Sequence, residues 1–582
     1  MKNFLFYVFA SFFGASIALI FLTFFILGIA GSLGGEKTKS IKNGTVLELD
    51  LSVPILERTS KNPFSELLMG EKDAVGLQRY VRALEKAAAD EKIAGVYVKV
   101  GLPDAGMATL ETLRNALLEF KKSKKFVYAY GETMTERSYY VASVADSIWL
   151  FPSGMLEWNG LNANPMFVRG MLDKLGIEPR VFKVGAFKSA AEMFTEKQMS
   201  PANREQIQTL LDDMWKHMLA GVSAARNVDV ATLDTLSSTL GVTRAQHAVR
   251  HKLIDGLLYE DQVKEKLKKA AKTDQDDKLP TISLADYDAA QKYKKSDNKI
   301  AVVYAVGEIN SGEGDENSIG SETIVKAIRE AREDKNVKAV VLRVNSPGGS
   351  ALASDVIGRE IDLTKKEKPV IASYGDVAAS GGYWISAKCD AIVSEPTTIT
   401  GSIGVIGLWA NTQKFFNDKL GVTFDRVYST NNRYADIGDP NKPMSEYEAR
   451  VLQREVNVVY GDFIRRVQEG RNFPDSASVD AIAQGRVWTG MRAKDLKLVD
   501  EIGSLNTAVK LAAKKAGVAD DYELVPYPKY KSKIERVMEK LTGAATAKFF
   551  SREEVRALRA VRYLLDSPSP IHARMDWDLD IR

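Results

Sequence analysis

The second half of the chain carries two glycine-rich motifs that could do acyl chemistry together. The first is Asn345-Ser346-Pro347-Gly348-Gly349, at the end of a β-branched run. Paired glycines there allow unusual backbone angles and close approach of a ligand. Their amides can point at an oxyanion. The same motif also suits a plain strand-to-helix turn. The second is Ala379-Ser380-Gly381-Gly382-Tyr383-Trp384, a serine ahead of two glycines where a helical pattern begins. A helix amino terminus offers free amides and positive potential. A serine in that place can be a nucleophile or simply an N-cap.

A nucleophilic serine needs a proton acceptor. The four histidines, His217, His247, His251 and His572, lie far from both motifs in sequence. Lysine can take the role if burial keeps it neutral near pH 7. Lys388 follows Ser380 by eight residues, roughly 12 Å along one helix, which is out of reach. Another candidate comes from an internal repeat. Gly131 and Tyr139 match Gly375 and Tyr383 at an offset of 244, which puts Glu136 where Ser380 stands. Lys174-Leu175-Gly176-Ile177 matches Lys419-Leu420-Gly421-Val422 at an offset of 245, which pairs Lys188 with Arg433. A guanidinium cannot give up its proton, but Lys188 can. Each half has therefore lost what the other keeps, although the spacing alone leaves Lys188 one basic residue among many.

The repeat sets the architecture that must position these residues. Strand patterns at Gly44–Leu51, Ala94–Val100, Lys299–Val306 and Lys338–Val344 alternate with helical patterns, which implies βαβ units and largely parallel sheets. Met199-Ser200 and Met444-Ser445 each precede a long helical pattern. The expected domains are 1–40, 41–275, 276–298 as a polar linker, 299–526, and 527–582 as an amphipathic helical segment with a tail. Ser567-Pro568-Ser569-Pro570 opens that tail, an interaction arm or a disordered end.

From Asn3 to Gly35 there is no charged residue. About 20 apolar residues cross a bilayer, so this run is expected to be a single anchor. The flanking charges do not set its direction. The net charge of +4 gives no electrostatic case for nucleic acid. Cys389 is the one cysteine, which excludes an intrachain disulfide, and it is expected to be buried in the helix after Ser380. His247 and His251 share a helix face without a carboxylate or cysteine cluster and are read as surface residues rather than a metal site.

Taken together, the Ser-Pro-Gly-Gly, Ala-Ser-Gly-Gly-Tyr, Ile399-Thr400-Gly401-Ser402-Ile403-Gly404 and Phe187-Lys188-Ser189-Ala190 segments resemble the long, duplicated form of the signal peptide peptidase A family. The resemblance spans nearly the whole chain. It implies an α/β fold of two tandem Clp protease/crotonase-like repeats behind a transmembrane helix. Ser380 would be the nucleophile, Lys188 the general base, and Ser402 the residue that hydrogen-bonds the lysine. Gly381 and Gly348, or Gly349, would supply the oxyanion amides. No metal or cofactor is implied. Substrates would be cleaved signal peptides and unfolded peptides. The assembly would be a homotetramer on the bacterial inner membrane with its body facing the periplasm. Trp158 falls where Ser402 falls in the other repeat, and Glu136 and Arg137 are read as structural. The rivals are a non-catalytic envelope scaffold and an acyl-CoA enzyme on a crotonase-like fold.

Overall fold

The computed structural model describes residues 41–58, 75–274, 277–293, 295–529 and 571–574, with Gly14 and Ile17. The expected anchor at 1–40 and the helical segment expected after Tyr527 lie outside these residues, apart from Gly14, Ile17 and the 527–529 and 571–574 stretches. Among the described residues, no helix is long and apolar enough to cross a membrane.

Two parallel sheets form the frame. The first runs Gly256–Leu257, Ser147–Leu156, Phe126–Met134, Ile93–Val100, Thr45–Asp50 and Thr281–Ser283, parallel at every pairing. The second runs Val487–Thr489, Ile399–Gly401, Val370–Ala379, Val337–Ser346, Lys299–Val306 and Glu523–Tyr527. Their central strands are near-continuous apolar runs because helices cover both faces. Val46, Leu47, Val96 and Val98 are buried in one, and Val303, Val341, Leu342 and Ile371 in the other.

The repeat extends to the helices. Pro201–Arg226 and Glu446–Arg471 are each 26 residues long. Ser200 and Ser445 cap them by accepting an amide three residues on, and Asn227 and Asn472 end them in the left-handed conformation. Tyr139 Oη donates to the Leu253 carbonyl just as Tyr383 Oη donates to that of Leu498.

The 276–298 stretch, expected to be a polar linker, is structured along part of its length. Thr281–Ser283 pairs with Thr45–Asp50, and the Leu284–Ala290 helix packs on the first repeat. Its edge strand is the counterpart of Glu523–Tyr527. Ile282, Leu284 and Tyr287 are buried, and these three side chains dock an otherwise charged stretch. Cys389 also departs from expectation. It is buried, but it lies in a bend after the Gly381–Ser386 helix has ended. Burial pushes its thiol up to about 12, so it stays protonated.

Polar contacts cross between the repeats. The Thr109 amide and hydroxyl both donate to Asp376, at 2.9 and 2.7 Å. Arg343, 1 % exposed, forms a bidentate pair with Glu57 at 2.8 and 3.0 Å. Thr112 Oγ1 donates to the buried Glu395 carboxyl at 2.5 Å. Burial raises the Glu395 pKa from 4.5 to about 7, against the opposing pull of the Thr112 hydrogen bond and the nearby Arg343.

That shift has a sign. The folded chain holds the Glu395 proton more tightly than the unfolded chain does. Stability from this group is therefore fully present below the unfolded value near 4.5 and is lost as the pH rises through about 7. The loss amounts to roughly 3 kcal/mol. Glu395→Gln keeps the acceptor for Thr112 and removes the titration. Urea unfolding between pH 5 and 8 should give a flatter stability profile for the variant than for the wild type. Parallel profiles would show that Glu395 does not titrate in this window.

Candidate active site

A third sheet joins the repeats and holds the candidate residues in register. Its order is Ser318–Gly320, Glu308–Asn310, Gly348–Ser350, Ile571–Arg574, Val405–Asn411 and Glu178–Val184. The last of these belongs to the first repeat by sequence. It pairs antiparallel with Val405–Asn411 of the second, with Val184 opposite Val405. The chain then turns through Gly185 and reaches Lys188 four residues beyond the strand. Going the other way from Val405, Ser402 lies three residues back. The same pairing therefore sets both positions.

Ser380 arrives from the second sheet. Val370–Ala379 runs parallel to Ile399–Gly401 with Ala379 opposite Gly401, and the Ser380 amide donates to the Gly401 carbonyl at 2.9 Å. Ser380 and Ser402 are thus neighbours across two strand ends. Ser380 occupies the N-cap position of the Gly381–Ser386 helix but makes no side-chain cap hydrogen bond. Its backbone sits at φ 54, ψ −115, a conformation that non-glycine residues rarely adopt. That geometry turns its hydroxyl away from the helix. Lys188 Nζ lies 3.1 Å from Ser380 Oγ and donates to Ser402 Oγ at 2.8 Å and to the Ser402 carbonyl at 3.4 Å. All three residues are fully buried. Burial is what a lysine base requires, because it disfavours the ammonium form.

The expected oxyanion glycines separate into different roles. Gly381 is the first residue of its helix, so its amide has no intrahelical acceptor. The Gly348 amide donates to Ser346 Oγ at 3.1 Å within its own loop. Gly349 pairs with Ile309, and a Cβ there would come within 2.1 Å of the Ile309 carbonyl, so close strand packing is enough to require glycine. The loop abuts the serine helix, since a Cβ on Gly382 would meet the Ser346 carbonyl at 2.8 Å.

The corresponding place in the first repeat is filled. The buried Glu136 carboxylate accepts the Asn159 amide at 2.6 Å. Burial raises its pKa, and the backbone amides of Asn159 and Gly160 pull it back. Trp158 is fully buried, stacks edge-on to Tyr139 and donates to the Leu233 carbonyl. Arg433, the counterpart of Lys188, is exposed in a turn. Lys388 pairs with Glu469.

Sequence reasoning missed the support around Lys188. Gln206 donates to the Phe187 carbonyl and to Ser189 Oγ, and its own oxygen accepts the Val487 amide of the second repeat. The Phe187 amide donates to the Gln484 carbonyl at 2.9 Å. Gly485 packs directly on the Lys188 backbone. The available signal was Ala483-Gln484-Gly485, a loop glycine just ahead of the short Val487–Thr489 strand.

The model of peptidase family S49 matches residues 119–274 and 362–519, one match in each repeat. The chain belongs to peptidase family S49. Protease 4 of Salmonella typhi is 36 % identical over 550 residues, covering 91 % of this chain and 87 % of its own length. The chloroplastic serine protease SPPA of Arabidopsis thaliana is 33 % identical, covering 82 % of this chain and 70 % of its own. Among solved structures, a mutant of the membrane-bound stomatin-specific protease 1510-N, in complex with a substrate peptide, aligns at 16 % identity and a TM-score of 0.26. That match covers 42 % of this chain and 98 % of the other. This S49 member is a serine peptidase, and the family resemblance read from its motifs holds across both halves.

Gly485 gives a test of the support. Its φ is +75, and a Cβ would sit 2.7 Å from the Lys188 amide nitrogen. Gly485→Ala in this S49 peptidase should displace Lys188 while leaving both sheets intact. Peptide hydrolysis should fall roughly a hundredfold, the scale expected of an ångström-sized misplacement, with circular dichroism unchanged. Undiminished hydrolysis would show that the loop does not position the lysine.

Proposed function

We propose that this protein is a membrane-anchored serine endopeptidase of two Clp protease/crotonase-like repeats, working through a Ser380–Lys188 dyad. The observation that carries the reading is the 3.1 Å approach of Lys188 Nζ to Ser380 Oγ inside a fully buried site. Lys188 takes the hydroxyl proton as Ser380 Oγ attacks the scissile carbonyl, then passes it to the leaving amine. Water hydrolyses the acyl-enzyme with the same lysine as base. Ser402 fixes the lysine through its 2.8 Å hydrogen bond. The oxyanion is held by the Gly381 amide and by the Gly348–Gly349 loop once the Gly348 amide leaves Ser346 Oγ.

Substrates are cleaved signal peptides and unfolded peptides, in keeping with an Enterococcus faecium relative, 36 % identical over 229 residues, that carries the name putative signal peptide peptidase SppA. The charge-free run from Asn3 to Gly35 anchors the chain in the bacterial inner membrane, with the body on the periplasmic side. A homotetramer completes the reading, and the repeat supports self-assembly. In the first repeat, residues 178–184 add to a strand of the second. Their counterparts at 423–429 carry exposed Phe424, Tyr428 and Val427, the last 96 % exposed. A second copy can take up that segment head to tail. Val427→Asp should lower the mass measured by light scattering, and an unchanged mass would remove this segment from the interface.

Two substitutions test the dyad. Ser380→Ala should abolish hydrolysis of an unfolded peptide, and a fluorophosphonate probe should label the wild type at Ser380 alone. Lys188→Arg should lose activity by several orders of magnitude despite keeping its charge, because a guanidinium does not accept a proton. Near-wild-type turnover in Lys188→Arg would assign the base elsewhere.

A further inference from the structure

The sheet beside Ser380 contains a strand from the far end of the same chain. Ile571–Arg574 lies between Gly348–Ser350 and Val405–Asn411 and runs antiparallel to both. His572 stands opposite Ser350 on one side and Ile406 on the other. Ala573 faces Gly349, and Arg574 faces Gly348. The outer edges of the two flanking strands are already paired, to Glu308–Asn310 and to Glu178–Val184. The gap between them is one strand wide, and it lies between the glycine loop and the strand that follows Ser402.

We infer that this segment is a substrate held in cis, and that the peptidase trims its own chain on the carboxyl side of Arg574. The inference rests on the Ser380–Lys188 reading above. Three features support it. An extended peptide that adds to sheet edges through its backbone is a recurring mode of peptide recognition, and its main-chain hydrogen bonds are indifferent to sequence. The direction is productive: the strand enters at Ser350 and its last residue stands opposite Gly348, in the loop assigned to the oxyanion. Finally, Pro568 and Pro570 precede the strand, and prolines cannot donate to a ladder, so the chain before Ile571 is poorly suited to extend it.

In the trimming step, Ser380 Oγ bonds to the Arg574 carbonyl carbon while Lys188 takes the hydroxyl proton. The bond to the Met575 nitrogen breaks, and Lys188 protonates that amine. Water then cleaves the ester, leaving a carboxylate on Arg574 and releasing the peptide Met575–Arg582. Until that happens, the strand occupies the path of any peptide from outside.

Intact-mass spectrometry of the purified full chain tests the inference. The wild type should end at Arg574 and Ser380→Ala at Arg582. Mixing the two should leave the Ser380→Ala tail intact, because the reaction is in cis. Ala573→Pro removes a ladder amide, and it should stop trimming while hydrolysis of an added unfolded peptide continues. A wild type that hydrolyses the added peptide yet keeps its tail would overturn the inference and leave the dyad standing. So would the same truncation in Ser380→Ala, efficient trimming of Ser380→Ala by added wild type, or trimming undiminished in Ala573→Pro. A wild type that cleaves neither would remove the dyad, and this inference with it.

Discussion

The antiparallel pairing of Glu178–Val184 with Val405–Asn411 is the constraint on which the site depends. It is a main-chain ladder between segments more than two hundred residues apart, and it delivers Lys188 to the other repeat. Every residue of register matters, because a shift of one would flip the faces of the strand and carry Lys188 away from Ser402. The rest of the support serves that ladder. Gln206 ties the lysine turn to Val487, Gln484 accepts the Phe187 amide, and Gly485 lets the two backbones touch. Because long-range pairing forms only after loop-closure entropy has been met, the site is expected to assemble late in folding.

Much of this was legible in the sequence, for identifiable reasons. Strands such as Lys299–Val306 lie in the interior of a parallel sheet and leave a short apolar, β-branched run. The repeat offset located Ser380 and Lys188 by what each copy lacked. Loops behaved differently. The strand at Thr281–Ser283 is three residues long in a charged stretch, too short to show a period. The Gly485 contact is a matter of backbone approach, which sequence does not record. The exchange of Glu178–Val184 into the other repeat's sheet was also invisible, because periodicity marks a strand but not its partner.

The duplication explains why one copy could lose its chemistry. With the ladder in place, the lysine turn of the first repeat serves the serine of the second, so Arg433 is free to face solvent and Glu136 and Trp158 are free to fill the unused position. That position was not left empty, and packing explains why. A cavity the size of an indole, in a core this well packed, would cost several kcal/mol. Trp158 fills the volume, satisfies its N–H on the Leu233 carbonyl and stacks on Tyr139 and Trp215.

The serine itself carries backbone strain. At φ 54 and ψ −115, Ser380 costs energy of order 1–3 kcal/mol compared with ordinary backbone. The surroundings hold it there: its amide is bonded to Gly401, its carbonyl accepts the Trp384 amide, and Tyr383 is pinned to Leu498. The strain turns the hydroxyl out of its capping role and toward Lys188. In the first repeat, Thr135 keeps ordinary N-cap angles at φ −83 and ψ 165, and it caps its helix through Ser138. The two copies thus use the same turn differently. One relaxes it into a helix cap, and the other holds it strained because only the strained form faces a base.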